Sequence, residues 1–112
     1  MDDPNLVVWD KQTALSRLMN DESLLSTLIS HFKELAPLTV QEIEQASQEN
    51  DVNALQLHAH KIKGSALAVG ALRVACLAKV IEEEARQDNA FASSEQLAQL
   101  TAEIDTFLVE TA

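Results

Sequence analysis

The chain has 112 residues, 46% of them hydrophobic and 23% charged, enough for one core and too few for two. A formal charge of −10 argues against nucleic acid and anionic membranes as partners, because both reward clustered Lys and Arg. With two Gly, two Pro, no Tyr and 4% aromatics, the chain lacks the turn punctuation of a β sandwich or barrel, and its core must be Leu, Ile, Val and Ala, as in helices.

Residues 1–8 read as a frayed lead-in. A short helix is expected from Trp9 to Met19, capped by Asp10, with Ala14, Leu15 and Leu18 at helical spacing. Trp9 reads as a plug where this helix covers the bundle end. After the break at Asn20-Asp21, Asp21 caps a second helix with the apolar stripe Leu24, Leu25, Leu28, Ile29, Phe32 and Leu35. Pro37 then interrupts the pattern. Behind it, Leu38 as N′, Thr39 as N-cap, Glu42 as N3 and Ile43 as N4 form a capping box with a hydrophobic staple, so the helix either kinks at Pro37 or stops and restarts.

Asp51 is the next N-cap, and the helix it starts carries Leu55, Ala59, Ile62, Ala66 and Val69 at alternating spacings of four and three. Gly70 suits its left-handed C-terminal position. A further helix from about Ala71 to Gln87 places Val74, Leu77, Ala78, Ile81 and Ala85 on one face. The polar loop Asp88 to Ser94 leads to a capping box of Ser93 with Gln96. A last helix then runs to about Glu110 through Leu97, Leu100, Ile104, Phe107 and Leu108. Four long amphipathic segments with short connections predict an all-α, antiparallel four-helix bundle with a short N-terminal covering helix, in a single domain over 1–112.

The single cysteine, Cys76, excludes an internal disulfide framework and any multi-cysteine metal site, and reads as a small packing residue. No run approaches a membrane span, and Met1-Asp2-Asp3-Pro4 is no signal peptide, so a cytoplasmic location is expected.

The chemically unusual stretch is His58 to Ala71. Gly64 sits inside a strongly periodic helix, where it costs about 0.8–1 kcal/mol relative to Ala. Either it lets another helix pack closely, or it keeps the surface one turn from His60 bare so that a partner can approach the imidazole. Lys63, one turn from His60, can reach the same space. An unperturbed imidazole titrates near about 6.5, so its neutral form is a competent nucleophile at neutral pH. Phosphoryl transfer asks mainly for positioning and for positive charge around the phosphoryl oxygens, which a lysine ammonium supplies. Exposed nucleophile, nearby cation and cleared approach form a coherent set.

Ala59-His60-Lys61-Ile62-Lys63-Gly64-Ser65-Ala66-Leu67-Ala68-Val69-Gly70-Ala71 resembles the signature of the histidine-containing phosphotransfer (HPt) domain of multistep phosphorelays, with Ile62 in place of Leu. The similarity extends to Ala14–Leu18, Asp21–Leu25, Phe32, Ala36-Pro37, Asn50-Asp51, Leu72 and Ile81-Glu82. It covers residues 9–87 well and the last helix in pattern only.

The resemblance implies that His60 is phosphorylated by a receiver-domain aspartate and passes the group to another. Lys63 would stabilise the phosphoryl group, and Gly64 would give the partner access. Glu82 matches a position where some members place a Gln that orients the histidine. It also implies receiver domains, and a hybrid sensor histidine kinase, as partners of a monomeric carrier. Such a carrier has no cofactor of its own, and its Mg²⁺ belongs to the receiver. No Gly-rich phosphate loop or kinase signature is present, so a relay intermediate is expected rather than a kinase. A non-catalytic helical interaction module is the alternative, and direct phosphorylation by a kinase module is a third.

The remaining candidates divide by geometry. His58 and His60 are two residues apart on a helix and point apart, so they cannot chelate one metal ion. Relative to the core stripe, His60 lies roughly 140° away and His58 roughly 60° away, at the core boundary. His31 reads as a helix-surface histidine, and Glu83 and Glu84 as a solvated face. Leu57, Lys61 and Leu67 flank the His60 side, and an exposed apolar docking patch there is as consistent as burial.

Overall fold

The computed structural model describes residues 6–88 and 91–112. Five helices follow in order: α1 Lys11–Arg17, α2 Glu22–Gln48, α3 Val52–Val69, α4 Leu72–Arg86 and α5 Ser94–Glu110. Helices α2 to α5 form the bundle, with α3 in extensive contact with both α2 and α4. The expected aspartate and serine caps are in place. Asp10, Asp21 and Asp51 accept from the amides of Thr13, Leu24 and Ala54, and Ser93 with Gln96 closes a reciprocal capping box. Asn20 and Asn50 take left-handed backbone at the two turns before α2 and α3, a conformation that Asn tolerates.

Pro37 neither stops nor restarts the helix: α2 runs unbroken through it for 27 residues. Thr39 is therefore not an N-cap. It is buried in the helix interior, and its Oγ1 donates to the Leu35 carbonyl at 3.1 Å. The physical reason is the buried face that crosses the proline, made of Phe32, Ala36, Thr39, Ile43 and Ala46. An interior proline costs about 3 kcal/mol. Burying Phe32 and Ile43 alone returns about 1.5–3 kcal/mol each. Pro37 also lies on the exposed side, where water can take the carbonyl it leaves without an amide partner.

The core gathers Phe32 and Ile43 from α2, Leu55, Ala59, Ile62, Ala66 and Val69 from α3, Val74, Ala78, Ile81 and Ala85 from α4, and Leu100, Ile104 and Phe107 from α5. Phe107 meets Phe32 edge to face at 5.5 Å and Trp9 at 6.1 Å. Trp9 plugs the bundle end as expected: its Nε1 donates to the Val69 carbonyl at 3.0 Å, and the Asp10 amide donates to the Gly70 carbonyl at 2.8 Å. Gly70 closes α3 at φ 83°, and a Cβ there would lie 2.5 Å from the Asp10 carbonyl oxygen.

Of the expected lead-in, residues 1–5 lie outside the described residues. Leu6 and Val8 are tied to the bundle: the Leu6 carbonyl accepts from Arg73 Nε at 2.8 Å, and Val8 packs on the core. The loop before α5 is pinned by the Ser47 hydroxyl, which accepts from the Ala92 amide at 2.9 Å and faces the Ala92 carbonyl at 3.3 Å. Among the described residues, no helix is long and apolar enough to cross a membrane.

Candidate phosphotransfer site

One side of α3 belongs to the core and the other carries the candidate site. Ala59 and Ile62 are buried, so their neighbours His60, Lys63 and Gly64 fall on the outer half of the helix. The His60 side chain is 63% exposed, against 21% for His58. His58 Nδ1 is buried without a hydrogen-bond partner and lies 3.8 Å from Glu42 Oε2, at the boundary expected for it. His31 is exposed, also as expected.

Beneath His60 sits a buried charge. Glu82 of α4 is 1% exposed. Its Oε2 lies 2.6 Å from His60 Nδ1 and accepts from Arg86 Nη2 at 3.1 Å, and its Oε1 accepts from Lys63 Nζ at 2.6 Å. Burial pushes the Glu82 carboxyl up. The hydrogen bonds from Lys63 and His60, with the charges of Lys63 and Arg86, outweigh it and hold the carboxyl below its ordinary range. An ionised carboxylate can only accept. The His60 Nδ1 therefore carries the hydrogen, and the lone pair is left on Nε2, away from Glu82.

Lys63 is half-buried, with its ammonium held on Glu82 rather than free in solvent. Arg86 was not singled out by the sequence reading. Its signal was there: it lies four residues after Glu82 on one helix, where side chains meet. Gly64 is bare: among the described residues, an added Cβ would meet nothing within 4 Å beyond its own helix backbone, so none of the other helices packs against it. Glu83 and Glu84 point elsewhere, to Lys79 at 3.9 Å and to Gln96 at 3.2 Å.

Leu57 and Leu67 are 63% and 38% exposed, on either side of His60 along α3. Lys61 leans the other way, 3.9 Å from Glu42 of α2. The structure thus brings His60, Lys63, Glu82 and Arg86 into one cluster, with Gly64 bare beside it and Leu57 and Leu67 on either side, while Lys61 is drawn away toward α2. Among the described residues, no group of three His, Cys, Asp or Glu side chains could hold a metal ion.

The Hpt domain family model matches residues 27–109. The chain belongs to the Hpt domain family. It is accordingly a phosphotransfer intermediate of two-component signalling, in a family of carriers rather than kinases. The fold is similar to the crystal structure of histidine-containing phosphotransfer protein B (HptB) from Pseudomonas aeruginosa PAO1. That match has a TM-score of 0.81 and 23% identity, over 92% of this chain and 90% of that one. No match was found among curated protein sequences.

Proposed function

We infer that His60 is the phosphoryl carrier of this Hpt domain, accepting the group from the aspartyl phosphate of one receiver domain and delivering it to the aspartate of another. The observation that carries this reading is the hydrogen bond of His60 Nδ1 to the buried, ionised Glu82, which leaves the Nε2 lone pair on an exposed ring. Lys63 lies one turn away on Glu82 and exchanges part of that contact for the incoming phosphoryl oxygens. Gly64 leaves the approach open. Glu82 orients the ring, and Arg86 balances its charge while Lys63 serves the phosphoryl group.

Leu57 and Leu67 frame the face on which a receiver docks, with Lys61 at its edge toward α2, in a transient interface at the small end of the usual range. Mg²⁺ belongs to the receiver, whose acidic pocket binds it. The chain acts as a monomeric carrier without kinase activity of its own.

The test is label transfer from a phosphorylated receiver. The wild-type domain should take up acid-labile, base-stable label that a second receiver removes, and folded His60→Gln should take up none. Label accepted by His60→Gln would overturn the assignment. A wild-type domain that binds the receiver but never takes label would be an interaction module instead.

A further inference from the structure

We propose that Glu82 keeps a proton on His60 Nδ1 throughout the phosphoryl cycle, so that the phosphohistidine is held as an activated donor rather than as a store. The inference rests on the carrier reading above and goes beyond it, to the reactivity of the phosphorylated state.

The argument starts from the leaving group. When the His60 Nε2 lone pair attacks phosphorus, an Nε2–P bond forms and the P–O bond to the donor aspartate breaks, its electron pair leaving with the carboxylate. The ring still carries the Nδ1 hydrogen and now one positive charge. In the onward step an acceptor carboxylate oxygen attacks phosphorus, the P–N bond breaks, and its pair returns to Nε2. If Nδ1 has kept its hydrogen, the departing group is a neutral imidazole. If Nδ1 has lost it to solvent, the departing group is an imidazolate, a far poorer one. A site that retains this proton needs no proton transfer in either direction, and a site that releases it stalls the second step.

Glu82 is built to retain it. Its Oε2 lies 2.6 Å from Nδ1, and the carboxylate is 1% exposed, so water cannot replace it cheaply. The charged groups that face this contact are Lys63 from α3 and Arg86 from α4. Among the described residues, α2 and α5 bring no ion pair to Glu82. Two cations on the carboxylate hold it ionised, and an ionised oxygen 2.6 Å from Nδ1 opposes loss of the Nδ1 hydrogen once the ring is phosphorylated and positively charged. A glutamine could accept the same hydrogen bond but carries no charge to oppose that of the ring. The acidic side chain at this position is therefore a positioning residue that also sets how long the phosphoryl group stays.

The test compares the wild type, Glu82→Gln and Arg86→Gln after phosphorylation by a receiver and removal of the donor. The ³¹P and ¹⁵N NMR signals of the phosphorylated ring are followed from about pH 6 to 9, spanning the ordinary imidazole range. The pH at which Nδ1 loses its proton should fall by about one to three units in Glu82→Gln, the usual effect of one close opposite charge. Arg86→Gln removes a positive charge and should not lower it. Above that pH, phosphoryl loss from Glu82→Gln should slow by up to about tenfold per pH unit, while the wild type stays nearly flat.

Equal midpoints in the wild type and Glu82→Gln would overturn the proposal and leave the carrier reading intact. A midpoint lowered equally by both substitutions would also overturn it, since that is the mark of disturbed packing. No phosphohistidine signal in the wild type would remove both this proposal and the carrier reading.

Discussion

The two glycines of this chain should respond to the same substitution with opposite signs. Gly64 lies within α3, and a Cβ added there meets nothing within 4 Å. Gly64→Ala therefore gains helix propensity without a clash and should stabilise the bundle by about 0.8–1 kcal/mol. For a domain of this size that is a rise of roughly 4 °C in Tm. At Gly70 the backbone is left-handed, with φ 83°, and the added Cβ would sit 2.5 Å from the Asp10 carbonyl oxygen and 3.3 Å from the Trp9 ring. Strain alone costs about 1–2 kcal/mol there. The clash also falls on backbone, so Asp10 must move and its 2.8 Å hydrogen bond to Gly70 is disturbed. The two variants should thus differ by more than about 2 kcal/mol in urea unfolding with unchanged m-values. Gly64→Ala should also slow phosphotransfer, and larger side chains should slow it further, so stability and activity part company. A destabilised Gly64→Ala would show that something packs on that surface and would refute the access role. A neutral Gly70→Ala would refute the cap geometry.

Other substitutions probe the cluster itself. Lys63→Ala should still fold, losing about 1–3 kcal/mol because Glu82 keeps His60 and Arg86 as partners, and should weaken phosphohistidine formation or persistence; unchanged transfer would make its charge incidental. His58→Gln should retain transfer with a stability change within about 1 kcal/mol, since His58 Nδ1 makes no hydrogen bond to lose; label lost only from this variant would move the site. Acid titration reads Glu82 directly. Its folded carboxyl is held below the unfolded value, so its contribution is present above the ordinary carboxylate range of about 4.3 and is lost as pH falls through the folded value. The stability difference between the wild type and Glu82→Gln should shrink as pH falls from about 5 to 3; a constant difference would show that the carboxylate is not the group that titrates.

The helices were legible because their signals are local. Aspartate caps, the Ser93–Gln96 box and apolar spacing need only a few neighbouring residues, and they lie where the sequence places them, except that Leu24, expected in the stripe of the second helix, is 43% exposed in the first turn of α2, ahead of the buried Leu25. At Pro37 two local signals, a proline and a capping-box pattern at Thr39, agreed with each other and lost to a tertiary one. Thr39 occupies a place on the continuous buried face of α2, and only the packed bundle reveals that a hydroxyl there turns back to Leu35. The site divides in the same way. His60, Lys63 and Gly64 sit on one helix, so their shared face follows from spacing. Glu82 and Arg86 come from α4, 22 and more residues further on, and no periodicity states that their side chains reach His60. The Ser47–Ala92 pairing was invisible for the same reason.

The electrostatics of Glu82 tie the fold to the chemistry. In a chain of net charge −10 with 18 acidic side chains, Glu82 is the charged residue that the described core buries. Burying a carboxylate is expensive, and an apolar side chain of similar volume would serve a bundle as well or better. The chain contains eight Lys and Arg in all, and two of them, Lys63 and Arg86, are placed on this one carboxylate. Nothing in the packing requires that expense: Ile81 and Ala85 fill the adjoining core without polar partners. What the arrangement achieves is at the surface, where a histidine more than half exposed is held to one tautomer and one orientation by a group that water cannot reach. On the proposal that His60 carries the phosphoryl group, Glu82 is the part of the core that serves reactivity: its partners outweigh the cost of burial, and an apolar side chain of the same volume could not make the contact to Nδ1.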